Sequence, residues 1–230
     1  MADYIKKLLF KFDIEKLNSA LTTFLDEKPD WDKVKSGPGP HSTNFTHRPN
    51  AKDKWLDGAG IGHGVYGPKS LYEKLHDDKI YEDDFTEFND ELKDTYFYEI
   101  YEKLSTAYKI GRVRLIKTPA KTIGPCWHVD PEERIQIPIV TNLGERYIIM
   151  DKSYFLPANG CAYITNTTLP HSTFNGGFID RYAMIFHIVD YKDPTAITNL
   201  NPATRRQDII NSQFASDVSY DNFGVMEDEG

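Results

Sequence analysis

The spacing of apolar positions changes near residue 110, from a helical period to short alternating runs. After a short apolar stretch from Leu8 to Phe12, Ile14, Leu17, Leu21 and Phe24 recur at helical spacing behind Asp13, whose carboxylate can cap the first turn. A stronger stripe of Leu92, Tyr96, Ile100, Leu104 and Tyr108 recurs every four residues and predicts a helix that begins at an Asn89 cap. That spacing stacks side chains on one helix face, so the stripe reads as core packing and its tyrosines are given no chemistry. Residues 29 to 68 are rich in Pro, Gly, His and Asn, which is loop chemistry, and so long a loop in a compact domain points to a lid or a pocket wall. The glycines after Gly58 do not make a dinucleotide fingerprint, because the third position of that motif is His63.

Beyond Ile110 the period is two. Val113 and Leu115 alternate with Arg112 and Arg114, and Ile135, Ile137 and Ile139 alternate with Arg134, Gln136 and Pro138. Further strands are expected over 146–150, 161–165, 171–174 and 182–189, with turns at Asn142-Leu143-Gly144, Pro157-Ala158-Asn159-Gly160 and Asn175-Gly176-Gly177. Helices followed by a series of short strands argue for an α+β fold whose core is an antiparallel sandwich or barrel. The length of 230 residues suits one domain: a helical and loop-rich part over 1–109, a β core over 110–192 and a polar, partly disordered tail over 193–230.

Charge and composition narrow the partners. With 27 basic and 35 acidic residues the net charge is −8, and no basic block offers a footprint for nucleic acid or an anionic membrane. Cys126 and Cys161 cannot build a disulfide framework, and the first residues lack a signal-peptide pattern, so the expected setting is the cytoplasm. No apolar run approaches the ~20 residues of a membrane span.

The chemistry concentrates in Trp127-His128-Val129-Asp130, with His171 further on and Arg181 ten residues after that. On a strand, His128 and Asp130 point to the same face and can share one cation. With His171 they make a set of two imidazoles and one carboxylate, which leaves coordination sites open on Fe(II). Arg181 adds a planar fork suited to a carboxylate, and so to a dicarboxylate whose other end reaches the metal. On the same alternation Trp127 is expected in the core, while Cys126 is taken as a packing residue and His187, inside an apolar run, as a hydrogen-bonded core histidine. His41, His47, His63 and His76 lie in polar segments and are read as solvated imidazoles, with His41 and His63 the stronger site candidates of the four.

This set of His128, Asp130, His171 and Arg181 resembles the 2-oxoglutarate- and Fe(II)-dependent oxygenases. The resemblance covers about residues 110 to 192 and implies a double-stranded β-helix of the cupin or jelly-roll kind. It also implies Fe(II) on His128, Asp130 and His171, and 2-oxoglutarate as co-substrate at Arg181, with Gln136 and Arg134 beside it. Within that group the chain looks most like the aspartyl/asparaginyl β-hydroxylase branch and related free-amino-acid hydroxylases, on Arg134-Ile135-Gln136-Ile137-Pro138-Ile139 and on the segment Arg181 to Asp190. It departs from that branch in carrying Gln136 where a histidine is common, and in possessing the acidic ligand Asp130 that the branch's namesake lacks. The implied activity is hydroxylation of an amino acid, or of an amino-acid residue in a peptide, coupling O₂ activation to decarboxylation of 2-oxoglutarate to succinate and CO₂. A carboxylate-bearing substrate would meet Arg134, under a lid formed by Gly58 to Gly67.

Two other readings use the same residues. One is a zinc hydrolase with a metal-bound water on His128, Asp130 and His171, and Arg181 is what such an enzyme has no standing need for. The other is a non-catalytic cupin-like metal-binding module, against which the complete ligand set argues.

Overall fold

Six of the seven residues of the strand Arg134–Val140 are buried, the polar Arg134 and Gln136 as fully as the isoleucines between them. A strand buried on both faces has to lie between two layers, and the chain supplies one on each side. The computed structural model describes residues 4–31, 41–58, 80–124 and 127–192. In chain order they form β1 (Ile5–Lys11), α1 (Ile14–Glu27), β2 (His41–Asn44), β3 (Thr46–His47), β4 (Glu87–Phe88), α2 (Tyr96–Ser105), β5 (Tyr108–Thr118) and β6 (Thr122–Ile123). There follow β7 (Arg134–Val140), β8 (Glu145–Ile149), β9 (Lys152–Tyr154), β10 (Cys161–Thr165), β11 (His171–Asn175) and β12 (Arg181–Tyr191).

The larger sheet runs β1-β10-β7-β12-β5-β2 and the smaller β6-β11-β8-β9, with neighbours antiparallel throughout. From β7 to β12 the chain passes back and forth between the two sheets, which winds them into a double-stranded β-helix. The fold is α+β with a jelly-roll core. On the outer face of the larger sheet, Ile135, Ile137 and Ile139 join Val113, Leu115, Met184 and Phe186, and onto these pack Leu17, Leu21 and Phe24 of α1 and Phe97, Ile100 and Leu104 of α2. Burying each such side chain contributes roughly 1.5–3 kcal/mol. The inner face, carrying Arg134 and Gln136, looks toward the smaller sheet. Among the described residues no helix is long and apolar enough to cross a membrane.

Several elements differ from the sequence expectation. The apolar stretch before Asp13 is a strand, β1, whose Ile5 and Leu8 are buried while Lys6 and Lys7 are exposed, so no period of two is visible in it. Asp13 caps α1 as expected, its Oδ1 accepting from the amides of Glu15 and Lys16 at 3.0 and 3.2 Å. Asn89 instead caps a single 3₁₀ turn, Asp90–Leu92, and α2 starts only at Tyr96. Leu92 and Tyr108 fall on the helical stripe because they fill the same core from either end, not because one helix joins them. The presumed loop over 29–68 contains β2 and β3. It buries His47, whose Nδ1 faces the Arg48 carbonyl at 2.9 Å, where a solvated imidazole was expected. Cys126, His63, His76, the lid segment past Gly58 and the tail over 193–230 lie outside the described residues.

Candidate active site

His171 opens β11 in the smaller sheet, and His128 pairs with it through an isolated bridge: His171 N–H donates to the His128 carbonyl at 2.9 Å and His128 N–H donates back at 3.2 Å. Residues 127 to 133 are otherwise irregular, so the same-face alternation expected of a strand does not apply to His128 and Asp130. Asp130 is carried to the same point by its own amide, which bonds the Thr167 carbonyl at 2.8 Å. For the same reason Trp127 is not a core residue but 47% exposed. The ligand atoms of His128, Asp130 and His171 all lie within 4.8 Å of one another.

The surroundings tune these donors. His171 presents Nδ1 to the Leu169 carbonyl at 3.0 Å; a carbonyl only accepts, so the proton sits on Nδ1 and the lone pair on Nε2, which faces Asp130 at 3.8 Å. Burial pushes the His171 imidazole down to about 4, against the opposing pull of Asp130. Burial by itself would raise the Asp130 carboxyl, but the Arg134 guanidinium and the neighbouring His171 outweigh it and hold that carboxyl at about 2. A neutral imidazole and an ionised carboxylate are the forms a divalent cation requires.

Beneath the triad a buried polar row crosses to Arg181. Tyr147 of β8 stacks on His171, with ring centroids 5.8 Å apart and planes 26° apart, and its hydroxyl bonds Thr165. Thr165 also takes a hydrogen bond from Gln136 Nε2 at 3.3 Å, and Gln136 Oε1 accepts from Arg181 Nη2 at 3.0 Å. Arg181 and Gln136, expected near each other, are therefore in direct contact. Arg181 is 2% exposed and also faces Glu145 of β8, Nε to Oε1, at 3.0 Å.

Arg134 is not part of this row. Its Nε donates to Asp130 at 3.0 Å, its Nη1 meets Glu82, and the same nitrogen lies 3.3 Å from His187 Nδ1. Glu82, buried in the 3₁₀ turn Glu82–Asp84, also takes Arg112 at 3.4 Å and Arg114 at 3.5 Å. Burial opposes its ionisation, yet Arg134, Arg114 and Arg112 together keep the carboxyl well below the usual range. His187 is the hydrogen-bonded core histidine expected, with Nε2 on Asp83 at 2.5 Å. Sequence reasoning missed Glu82, Glu145 and Tyr147. Glu82 stands in an exposed-looking acidic run, Tyr81-Glu82-Asp83-Asp84, that carries no signal of burial, whereas Glu145 and Tyr147 alternate on β8 and could have been placed on its inner face.

No protein-family model matches the chain, and no curated protein matches it. Solved structures similar to it include oxygenases and cupin domains. Viral collagen prolyl hydroxylase vCPH from Paramecium bursaria Chlorella virus-1, in a 2OG complex, shares 10% identity over 81% of this chain and 96% of its own, with a TM-score of 0.46. A 2OG-Fe(II) oxygenase family oxidoreductase from Burkholderia pseudomallei shares 11% identity over 71% of this chain and 77% of its own, at 0.37. A cupin domain from Bordetella pertussis Tohama I shares 15% identity over 34% of this chain and 79% of its own, at 0.30. The geometry of the site, not these likenesses, carries the functional reading.

Proposed function

We propose that this chain is an Fe(II)- and 2-oxoglutarate-dependent hydroxylase of an amino acid, or of an amino-acid residue in a peptide, akin to the aspartyl/asparaginyl β-hydroxylase branch. The observation that carries the reading is a two-ended site: His128, Asp130 and His171 within 4.8 Å of one another at one end, and the buried Arg181 guanidinium at the other. The donor set suits Fe(II), because two imidazoles and a carboxylate leave open positions for a chelating ligand and O₂. With 2-oxoglutarate and O₂, bound Fe(II) would supply the oxidising power for hydroxylating a C–H bond, 2-oxoglutarate leaving as succinate and CO₂.

The chain's own residues orient and protect. Leu169 fixes the His171 tautomer and Arg134 fixes the Asp130 carboxylate. Arg181 takes the distal carboxylate of 2-oxoglutarate, and Gln136, its amide locked between Arg181 and Thr165, sets the guanidinium plane. Arg134 is 2% exposed and spent on Asp130, Glu82 and His187, so it acts through the metal ligand and a substrate carboxylate has to find another partner.

Anaerobic titration of Fe(II) and 2-oxoglutarate, read by the weak visible charge-transfer band of the chelate, tests the reading. Wild type gives the band; His128→Ala and His171→Ala each abolish it. Metal and 2-oxoglutarate binding as tight as wild type in the double variant would remove the triad from the reaction.

A further inference from the structure

Glu145 is 0% exposed, and among the described residues neither of its carboxylate oxygens accepts a hydrogen bond, although Oε1 lies 3.0 Å from Arg181 Nε. Arg181 Nε likewise donates none, so the two groups form an ion pair out of line for hydrogen bonding. A buried carboxylate with no donor is costly, and this one points at the guanidinium assigned above to 2-oxoglutarate. That guanidinium carries one positive charge, which Glu145 already balances. Two carboxylates on a single guanidinium in a dry interior cannot both remain ionised.

We propose, building on the oxygenase reading, that Glu145 receives the distal carboxylate of 2-oxoglutarate as a neutral carboxyl, donating a hydrogen bond to it beside Arg181, so that co-substrate binding takes up one proton from solvent. The neutral form leaves Arg181 to the ligand and gives the orphan carboxyl oxygen a partner. The surroundings permit this. The charged groups acting on Glu145 are Arg181 from β12 and Arg146 from β8 itself, and Arg146 is turned onto the carbonyls of Leu143 and Glu145 at 2.8 and 2.6 Å. Across the ladder β11 presents the uncharged Asn175, β7 contributes Gln136 through its bond to Arg181, and Tyr147 stands two residues along the same face with its hydroxyl on Thr165. Burial raises the Glu145 carboxyl above its ordinary value against the pull of Arg181 and Arg146. Loss of the guanidinium's charge to the ligand raises it further in the complex.

A group whose pKa is higher in the complex than in the free protein favours binding at low pH. Affinity for 2-oxoglutarate therefore falls as pH rises through the free-protein value of Glu145, by at most about tenfold per pH unit. Protonation of metal ligands would weaken binding in the opposite direction, as pH falls. The test is calorimetric titration of Mn(II)-loaded protein with 2-oxoglutarate across pH 5.5 to 9, in buffers of different ionisation enthalpy, which counts protons directly. Wild type should take up close to one proton per ligand over part of this range and lose affinity across that same part as pH rises. Glu145→Gln should take up none, hold a flat affinity, and at the top of the range bind about tenfold tighter than wild type. Pyruvate, which lacks the distal carboxylate, should bind wild type without proton uptake. No proton uptake and a flat affinity in wild type overturns the proposal, as does the same uptake in Glu145→Gln. If that variant does not fold, the wild-type proton counts for 2-oxoglutarate and pyruvate decide. Absence of any 2-oxoglutarate binding across the range overturns the oxygenase reading, and this inference with it.

Discussion

Arg134 holds Asp130 by a hydrogen bond of 3.0 Å from its Nε and is itself anchored by Glu82. A residue of the candidate metal set is thus fixed from behind by a cation, and that cation by a buried anion, so the aim of the Asp130 carboxylate depends on a turn far from it in sequence. Removing the cation takes away both the orientation and the charge that keeps Asp130 ionised. Arg134→Gln is expected to weaken Fe(II) binding about 10–100-fold, the usual cost of losing a partner that orients a metal ligand. Competition titration against a metal-sensitive dye measures it, and an unchanged affinity in a folded variant contradicts this role.

Glu82 is the only acidic group contacting Arg112, Arg114 and Arg134 together among the described residues. Glu82→Gln keeps the shape but leaves these guanidinia mutually repelling in the interior. The expected loss of stability is about 3–5 kcal/mol, the range for breaking a buried ion pair from one side. Urea denaturation followed by circular dichroism gives the value.

His187 ties stability to pH. Its Nδ1 can accept from Arg134 Nη1 while Nε2–H donates to Asp83, which requires the neutral ring, and burial followed by the Arg134 charge pushes its pKa below the usual 6.5. A histidine with a depressed folded-state pKa contributes stability that is present above the unfolded value and is lost as pH falls through the folded one. Urea midpoints should therefore drop as pH is lowered below 6.5. His187→Asn should show a shallower drop over the same range; an identical slope in both proteins would assign the acid sensitivity elsewhere.

Gly160 joins β1 to the start of β10. Its φ is +78°, and a Cβ there would stand 2.0 Å from the carbonyl oxygen of Phe12, a backbone atom held by the hydrogen bond of Phe12 N–H to the Gly160 carbonyl at 2.8 Å. Neither strain can be relieved by turning a side chain. Gly160→Ala is expected to cost more than about 1 kcal/mol, seen as a lower urea midpoint at an unchanged slope.

Much of the core could be read along the chain because burial repeats with the local period. Ile135, Ile137 and Ile139 lie on the outer face of β7 as their alternation requires, and Leu17, Leu21 and Phe24 line α1 behind the Asp13 cap. The turn residues at 142–144 and 157–160 sit between strands, and of the third turn Gly176 and Gly177 do, while Asn175 is still the last residue of β11. The helix expected from Asn89 came out short because the same four-residue spacing arises when separate elements fill one core.

Residue types and spacing along the chain determined which side chains could carry chemistry here: His128, Asp130, His171, Arg181 and Gln136 all stand out from their own neighbourhoods. Tertiary structure alone decided how those side chains are charged and held. Periodicity tells which face of a strand a residue occupies, but which residue stands opposite follows from sheet register and from closure of one sheet over the other. That closure sets Glu145 of β8 against Arg181 of β12, stacks Tyr147 on His171, and threads Glu82 into three arginines. Electrostatic energy in a buried site depends on distance through space, and no distance in sequence stands for it.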